Sequence, residues 1–162
     1  MLTATCIIYV QSRKNNCYLS MTLSVKQVYT DVDIEKCFPV MSQLRPQLVA
    51  AEFTSQVRSQ MQQGYRLACV MDKDVVVAVA GYRISQSLAW GKFLYVDDLV
   101  TDEGRRSQGI GKQLLHWLID EAKRNGCAEF HLDSGTQRKD AHRFYEREGM
   151  ELLAYHYKLP AQ

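Results

Sequence analysis

An extended apolar run, Phe93 to Thr101, is followed within a few residues by an amphipathic helix, and the joint between them reads Arg106-Ser107-Gln108-Gly109-Ile110-Gly111. The helix is plain from its spacing. Ile110, Leu114, Leu118 and Ala122 recur four residues apart, Leu115 and Ile119 widen the same stripe, and Lys112, Gln113, Asp120, Lys123 and Arg124 cover the other face. Asn125-Gly126 ends it. A helix's first turn leaves backbone N–H groups without partners and carries partial positive charge, so an anion is favoured there. Gly109 and Gly111 have no Cβ, which lets phosphate oxygens approach the main chain; Arg105, Arg106 and Lys112 add charge beside those amides. The R-x-x-G-x-G pattern therefore points to a ligand carrying a diphosphate.

Two rival readings bear on this turn. One is an ordinary surface turn that happens to contain two glycines and several arginines. The other is a dinucleotide-binding fingerprint, with Glu129 at the distance of a ribose-binding acid. That fingerprint requires a third glycine or an alanine for close helix packing, and Leu114 occupies the position.

The chain has 162 residues, 46% of them hydrophobic, enough for one domain with a proper core. Its net charge of +2 comes from 20 basic residues interspersed with 18 acidic ones, a balance that gives no footprint for nucleic acid. A small-molecule ligand is the expectation. Five cysteines, Cys6, Cys17, Cys37, Cys69 and Cys127, are odd in number and form no C-x-x-C pair, so reduced thiols, a cytoplasmic setting and no metal site are expected. No segment approaches the roughly 18 consecutive apolar residues of a membrane span. Leu2 to Val10 lacks the basic flank and cleavage site of a signal peptide. The domain pattern begins at Met21, so residues 1–20 are expected to be an N-terminal extension or a misassigned start, and 21–162 the domain.

From Met21 the pattern is mixed. Ser24 to Thr30 reads as a strand, Asp31 to Arg45 as a helix that Pro39 must interrupt or kink, and Leu48 to Gln63 as a second helix. Tyr65 to Met71 and Val75 to Ile84 form a hairpin around Asp72-Lys73-Asp74, and Phe93 to Thr101 is a third β-rich run. Beyond the cradle helix come a strand at Glu129 to Asp133, a short helix at Ala141 to Glu148 closed by Gly149, and a last strand at Leu152 to Leu159. No internal repeat is present.

This element order resembles the GNAT superfamily of acyl-CoA-dependent N-acetyltransferases. The specific part of the likeness is Leu99-Val100-Thr101, the Arg106 to Gly111 cradle, and Ala141-His142-Arg143-Phe144-Tyr145 followed by Gly149. The stretch from Asp140 through Gly149 looks particularly like the aminoalkylphosphonate N-acetyltransferases. The resemblance implies an α/β (α+β) fold: a mixed, mainly antiparallel, twisted sheet of about six or seven strands, splayed in the middle, with helices on both faces. It implies acetyl-CoA as co-substrate, with its diphosphate on the amides of Gln108 to Lys112 and Arg106, Ser107, Gln108, Gly109, Ile110, Gly111 and Lys112 around it. The pantetheine arm would run along Leu99, Val100 and Thr101 as an added strand does, and Phe144 would lie near the thioester. Arg138 stands where many relatives carry asparagine, and would meet phosphate instead.

The chemistry makes two demands. An amine with a pKa of about 10.4 must lose a proton, costing roughly 4 to 5 kcal/mol at neutral pH. Asp97 and Asp98 are the nearby carboxylates, placed on opposite faces by strand alternation; Asp98 aligns with the family's acidic position and is the expected base or amine-binding anion. Either could equally hold a neighbouring loop. The departing sulfur needs a donor, and Tyr145 matches the family's general acid; without that register it would read as an aromatic packed beside Phe144. Arg138, Lys139, His142 and Arg143 form a basic cluster that would suit an anionic acceptor or a solvated helix face. Trp90, Tyr82 and Tyr95 line the acceptor side or belong to the core, and His116, His131 and His156 have no metal-like spacing. The implied activity is direct acetyl transfer to the primary amine of a small molecule, aminoalkylphosphonates included. A protein N-terminus and a non-catalytic acyl-CoA sensor are the alternatives. A homodimer is the assembly common among relatives.

Overall fold

A computed structural model describes residues 23–161. The expected extension, residues 1–20, lies outside them. In chain order the elements are β1 (Leu23–Val28), α1 (Asp31–Leu44), α2 (Ala50–Met61), β2 (Tyr65–Asp72), β3 (Val75–Ser87), β4 (Gly91–Thr101), a single 3-10 turn (Glu103–Arg105), α3 (Ile110–Arg124), β5 (Glu129–Leu132) and α4 (Lys139–Arg147). The strands form one sheet in the order β1-β2-β3-β4-β5, antiparallel except for the parallel β4/β5 pair.

Five strands stand among the described residues where six or seven were expected. The missing one is Leu152 to Leu159, which has no secondary structure and is exposed throughout. Alternation gives a segment two faces, but a strand also needs an edge to bond to.

The sheet separates two cores. On one face α1 and α2 bury Ile34, Cys37, Met41, Phe53 and Val57 against Leu67, Val79 and Val100. On the other, α3 buries the predicted stripe of Ile110, Leu114, Leu118 and Ala122 against Ala80, Tyr82, Leu94 and Val96. Pro39 does not interrupt α1, which runs through it. Proline removes one helical N–H, yet buried Ile34, Cys37, Val40 and Met41 on both sides of it hold the helix to the sheet, and the exposed ring faces away. The Thr30 hydroxyl caps the first turn by accepting from the Asp33 N–H at 3.2 Å. No helix of the described residues is long and apolar enough to cross a membrane.

Two irregularities shape the middle of the sheet. The β4/β5 ladder covers only Phe93 to Val96 against Glu129 to Leu132, while β4 continues to Thr101; the strands part there, as a splayed sheet requires. In the β3/β4 ladder Gly81 pairs with Asp98 and Tyr82 with Val96, so Asp97 is the extra residue of a β-bulge.

Candidate functional site

The mouth of α3 is open. Gly109 takes the left-handed conformation at φ 79°, no side chain caps the helix, and its first turn holds no acidic residue. The first helical bond runs from the Gln113 N–H to the Gly109 carbonyl, so the amides before it are free of helical partners. Ser107 also adopts positive φ, at 62°, which turns the segment before the helix around that mouth. A Cβ on Gly111 would lie 3.0 Å from Thr101 Oγ1, so the helix start sits directly against the end of β4. Nothing lies within 4 Å of a Cβ built on Gly109. Gly109→Val fills that space and strains a left-handed backbone by roughly 1–2 kcal/mol; calorimetry should show acetyl-CoA affinity lowered about tenfold or more.

The charges around the mouth are arranged differently from expectation. Arg105 is committed to structure, donating to Asp72 Oδ2 at 2.7 Å and to Gln108 Oε1 at 3.1 Å. Lys112 directs its ammonium to Glu148 Oε2 at 3.0 Å, and His116 meets the same oxygen at 2.8 Å. Those bonds hold Glu148 below the usual carboxylate range and tie α4 to α3. Arg106 is exposed and forms no ion pair among the described residues. Of Arg105, Arg106 and Lys112, Arg106 alone has no ion-pair partner among the described residues.

Where β4 and β5 part, a cleft opens, lined by Asp97, Leu99, Leu132, Ser134, Arg138 and Tyr145. Of the expected site residues, Tyr145, Leu99 and Arg138 thus line one cleft, and Asp98 does not. Ser134 Oγ is buried there without a hydrogen-bond partner, the kind of orphaned group that a ligand amide satisfies. Burial pushes the Tyr145 hydroxyl above its ordinary pKa, with Arg138 opposing. Phe144 packs beside Tyr145 with ring centroids 5.4 Å apart. Val100 points the other way, into the α1/α2 core.

The bulge corrects the expectation that Asp97 and Asp98 occupy opposite faces. Both carboxylates engage residues on the α1/α2 side. Asp97 Oδ2 accepts from Arg83 Nε at 3.1 Å, and Arg83 lies 5.3 Å over the Tyr65 ring. Asp98 accepts from Arg45 Nε at 2.7 Å through Oδ1 and from the Tyr65 hydroxyl at 3.0 Å through Oδ2. The extra residue breaks the two-residue period, which is how a bulge re-aims a side chain. Burial raises Asp97 above the usual carboxylate range even though Arg83 pulls it down. Asp97 therefore borders the cleft that holds Tyr145, while Asp98 borders a second pocket with Gln47, Phe53, Gln56 and Tyr65 under α1 and α2.

Arg45, in the cap position after α1, lines both pockets, and its Nη2 also donates to the Asp97 carbonyl at 3.0 Å. Sequence reasoning passed over it, along with Tyr65 and Ser134. The basic cluster on α4 does not assemble: Arg143 pairs with Asp140, His142 meets the Gly135 carbonyl at 3.0 Å, and only Arg138 reaches the cleft. Tyr82 belongs to the core against Trp117, Tyr95 is half-buried near Asp133, and Trp90 stacks on His131 at the hairpin end. No group of three or more metal-ligating side chains occurs among the described residues.

Against known proteins, the acetyltransferase (GNAT) family profile matches residues 33–150. The uncharacterized N-acetyltransferase YhdJ of Bacillus subtilis is 32% identical over 140 residues, covering 85% of this chain and 99% of that one. The aminoalkylphosphonate N-acetyltransferase of Salmonella typhimurium is 44% identical over 54 residues, covering 33% of this chain and 35% of its own. Among solved structures, a putative acetyltransferase from Agrobacterium tumefaciens superposes with a TM-score of 0.74 at 22% identity, over 85% of this chain and 99% of that one.

Proposed function

The chain belongs to the acetyltransferase (GNAT) family, enzymes that use acetyl-CoA, and we propose that it acetylates the primary amine of a small molecule that also bears an anionic group. Arg45 carries this reading. Its ion pair with Asp98 sits between the two pockets, so an acceptor with an ammonium and a phosphonate or carboxylate can exchange one internal pair for two of its own, ammonium on Asp98 and anion on Arg45. The partial likeness to an aminoalkylphosphonate N-acetyltransferase points the same way.

The donor side fits what the residues offer. The amides from Gln108 to Lys112, with Arg106, hold the diphosphate; the free edge of β4 at Leu99 to Thr101 and the Ser134 hydroxyl take the pantetheine amides. Asp98, the expected base, borders the pocket away from Tyr145 and serves there as the ammonium's anchor. Asp97, on the Tyr145 side, takes the proton. The freed amine attacks the thioester carbonyl, an N–C bond forms, the C–S bond breaks, the sulfur leaves as thiolate toward Tyr145, and the second proton lost from the nitrogen passes to that thiolate, giving the amide and the free thiol. A phenol's pKa of about 10 exceeds a thiol's of about 8.5, and burial raises Tyr145 further, so Tyr145 works mainly by hydrogen-bonding the developing thiolate.

Thiol release from acetyl-CoA, followed with aminomethylphosphonate and with a neutral alkylamine, tests the acceptor class. Faster turnover of the phosphonate is expected. Arg45→Gln should raise its KM tenfold to a hundredfold, as losing charge-assisted bonds of about 1.5–3 kcal/mol requires, with little change for the neutral amine. Equal losses for both acceptors would contradict the assignment. The pH dependence has a defined sign: kcat falls as pH drops through the raised Asp97 value, because the base must be ionised, and Asp97→Asn removes that acid limb.

A further inference from the structure

Asp97 is the extra residue of a bulge, so no residue stands opposite it on β3 to order its side chain. Arg83 supplies that order. Its Nε donates to Asp97 Oδ2 at 3.1 Å, while Oδ1 lies 3.4 Å from the same nitrogen, beyond the usual bond length. One carboxylate oxygen is held and the other is only loosely engaged. The remaining nitrogens are taken by the far end of α2: Nη1 donates to the Gln63 carbonyl at 3.0 Å and Nη2 to Gln60 Oε1 at 2.8 Å. A helix's C-terminal end favours a cation, and the guanidinium also lies 5.3 Å over the Tyr65 ring. The planar fork of arginine suits three such partners at once.

We propose that Arg83 is a positioning residue of the transfer, fixing the Asp97 carboxylate at the cleft from anchors on α2. The inference rests on Asp97 as the proton acceptor. Gln60 and Tyr65 also wall the acceptor pocket, so one guanidinium ties the base to the surface that the acceptor meets. Among the charges acting on Asp97, Arg83 on β3 is the strongest attraction, with Arg45 after α1 adding to it and Asp98 on β4 opposing both. Arg45 reaches only the main-chain carbonyl of Asp97. Across the cleft stand Arg138 and Asp133, of opposite charge. Burial pushes the hydroxyls of Tyr65, Tyr95 and Tyr145 above the ordinary phenol range, so they stay neutral. Arg83 is thus the side chain whose loss Asp97 feels most.

The pH profile of kcat with a saturating acceptor tests this. Arg83→Gln should move the acid limb upward by about one pH unit or more, as removal of a close opposite charge does to a carboxylate, with kcat above the limb within about threefold of the original. Arg83→Lys, which restores the charge but not the fork, should bring the limb most of the way back. Gln60→Ala, at an exposed position, loosens one anchor with the charge kept, and should move the limb the same way by less. A merely structural role would lower kcat at every pH and leave the limb in place. Placed on Asp97→Asn, Arg83→Gln should cost no further kcat, because its effect runs through that carboxylate. An equal loss in both backgrounds, or a limb unmoved by Arg83→Gln although Asp97→Asn abolishes it, would overturn this inference alone. An acid limb that persists in Asp97→Asn would remove the base assignment itself, and the role of Arg83 with it.

Discussion

Replacing Tyr145 with Phe will lower kcat about a hundredfold or more while the calorimetric affinity for acetyl-CoA stays within about twofold. Only one oxygen is removed, and the ring keeps its packing beside Phe144 on α4. Loss of a single donor to a developing anion in a water-poor site costs about 2.7–4 kcal/mol in comparable cases, so the effect falls on the transition state, where charge collects on sulfur. Raised by burial, the hydroxyl stays protonated across the neutral range and is present as a donor throughout it. A variant with undiminished kcat would remove Tyr145 from the reaction and leave it as a packing residue.

Gly81→Ala will unsettle the other end of the site. Gly81 pairs with Asp98 across the β3/β4 ladder, and the Tyr65 ring lies on its bare Cα; an added Cβ would overlap the ring at Cζ and Oη. Tyr65 is only 4% exposed and has nowhere to retreat. The overlap costs about 1–3 kcal/mol, a fall in Tm of about 3 °C per kcal/mol for a chain of this size. It also draws the hydroxyl off Asp98, so KM for the acceptor rises more than KM for acetyl-CoA. The double variant Tyr65→Leu, Gly81→Ala should recover part of the lost Tm, because the overlap is gone. An unchanged melting curve for Gly81→Ala would show that the ring does not rest there.

These two positions differ in how they were found. Tyr145 and the α3 mouth were legible in the sequence because local signals mark them: two glycines at a helix start, a 3.6-residue apolar period, and a second stretch in register. Gly81, Tyr65 and Arg45 matter through partners far along the chain, and Arg45 meets Asp98 across 53 residues. No periodicity reports such a contact. The Lys112 ammonium likewise meets Glu148, the cap residue after α4, a partner that its neighbours in sequence do not announce. The faces of Asp97 and Asp98 were misjudged because alternation assumes an unbroken ladder, and one extra residue shifts everything beyond it. At the C-terminal end of the described chain, a strand pattern was legible but its partner edge was not, for a segment's alternation carries no record of what it bonds to.

Everything proposed for the donor side depends on main-chain amides at the start of α3 gripping a diphosphate. Parallel calorimetric titrations with acetyl-CoA and with S-acetyl-pantetheine, which keeps the arm and thioester but lacks the diphosphate, measure that grip. Loss of two charge-assisted bonds of about 1.5–3 kcal/mol each predicts that the truncated thioester binds at least about a hundredfold more weakly. Equal affinity for the two would mean that the mouth of α3 holds no phosphate.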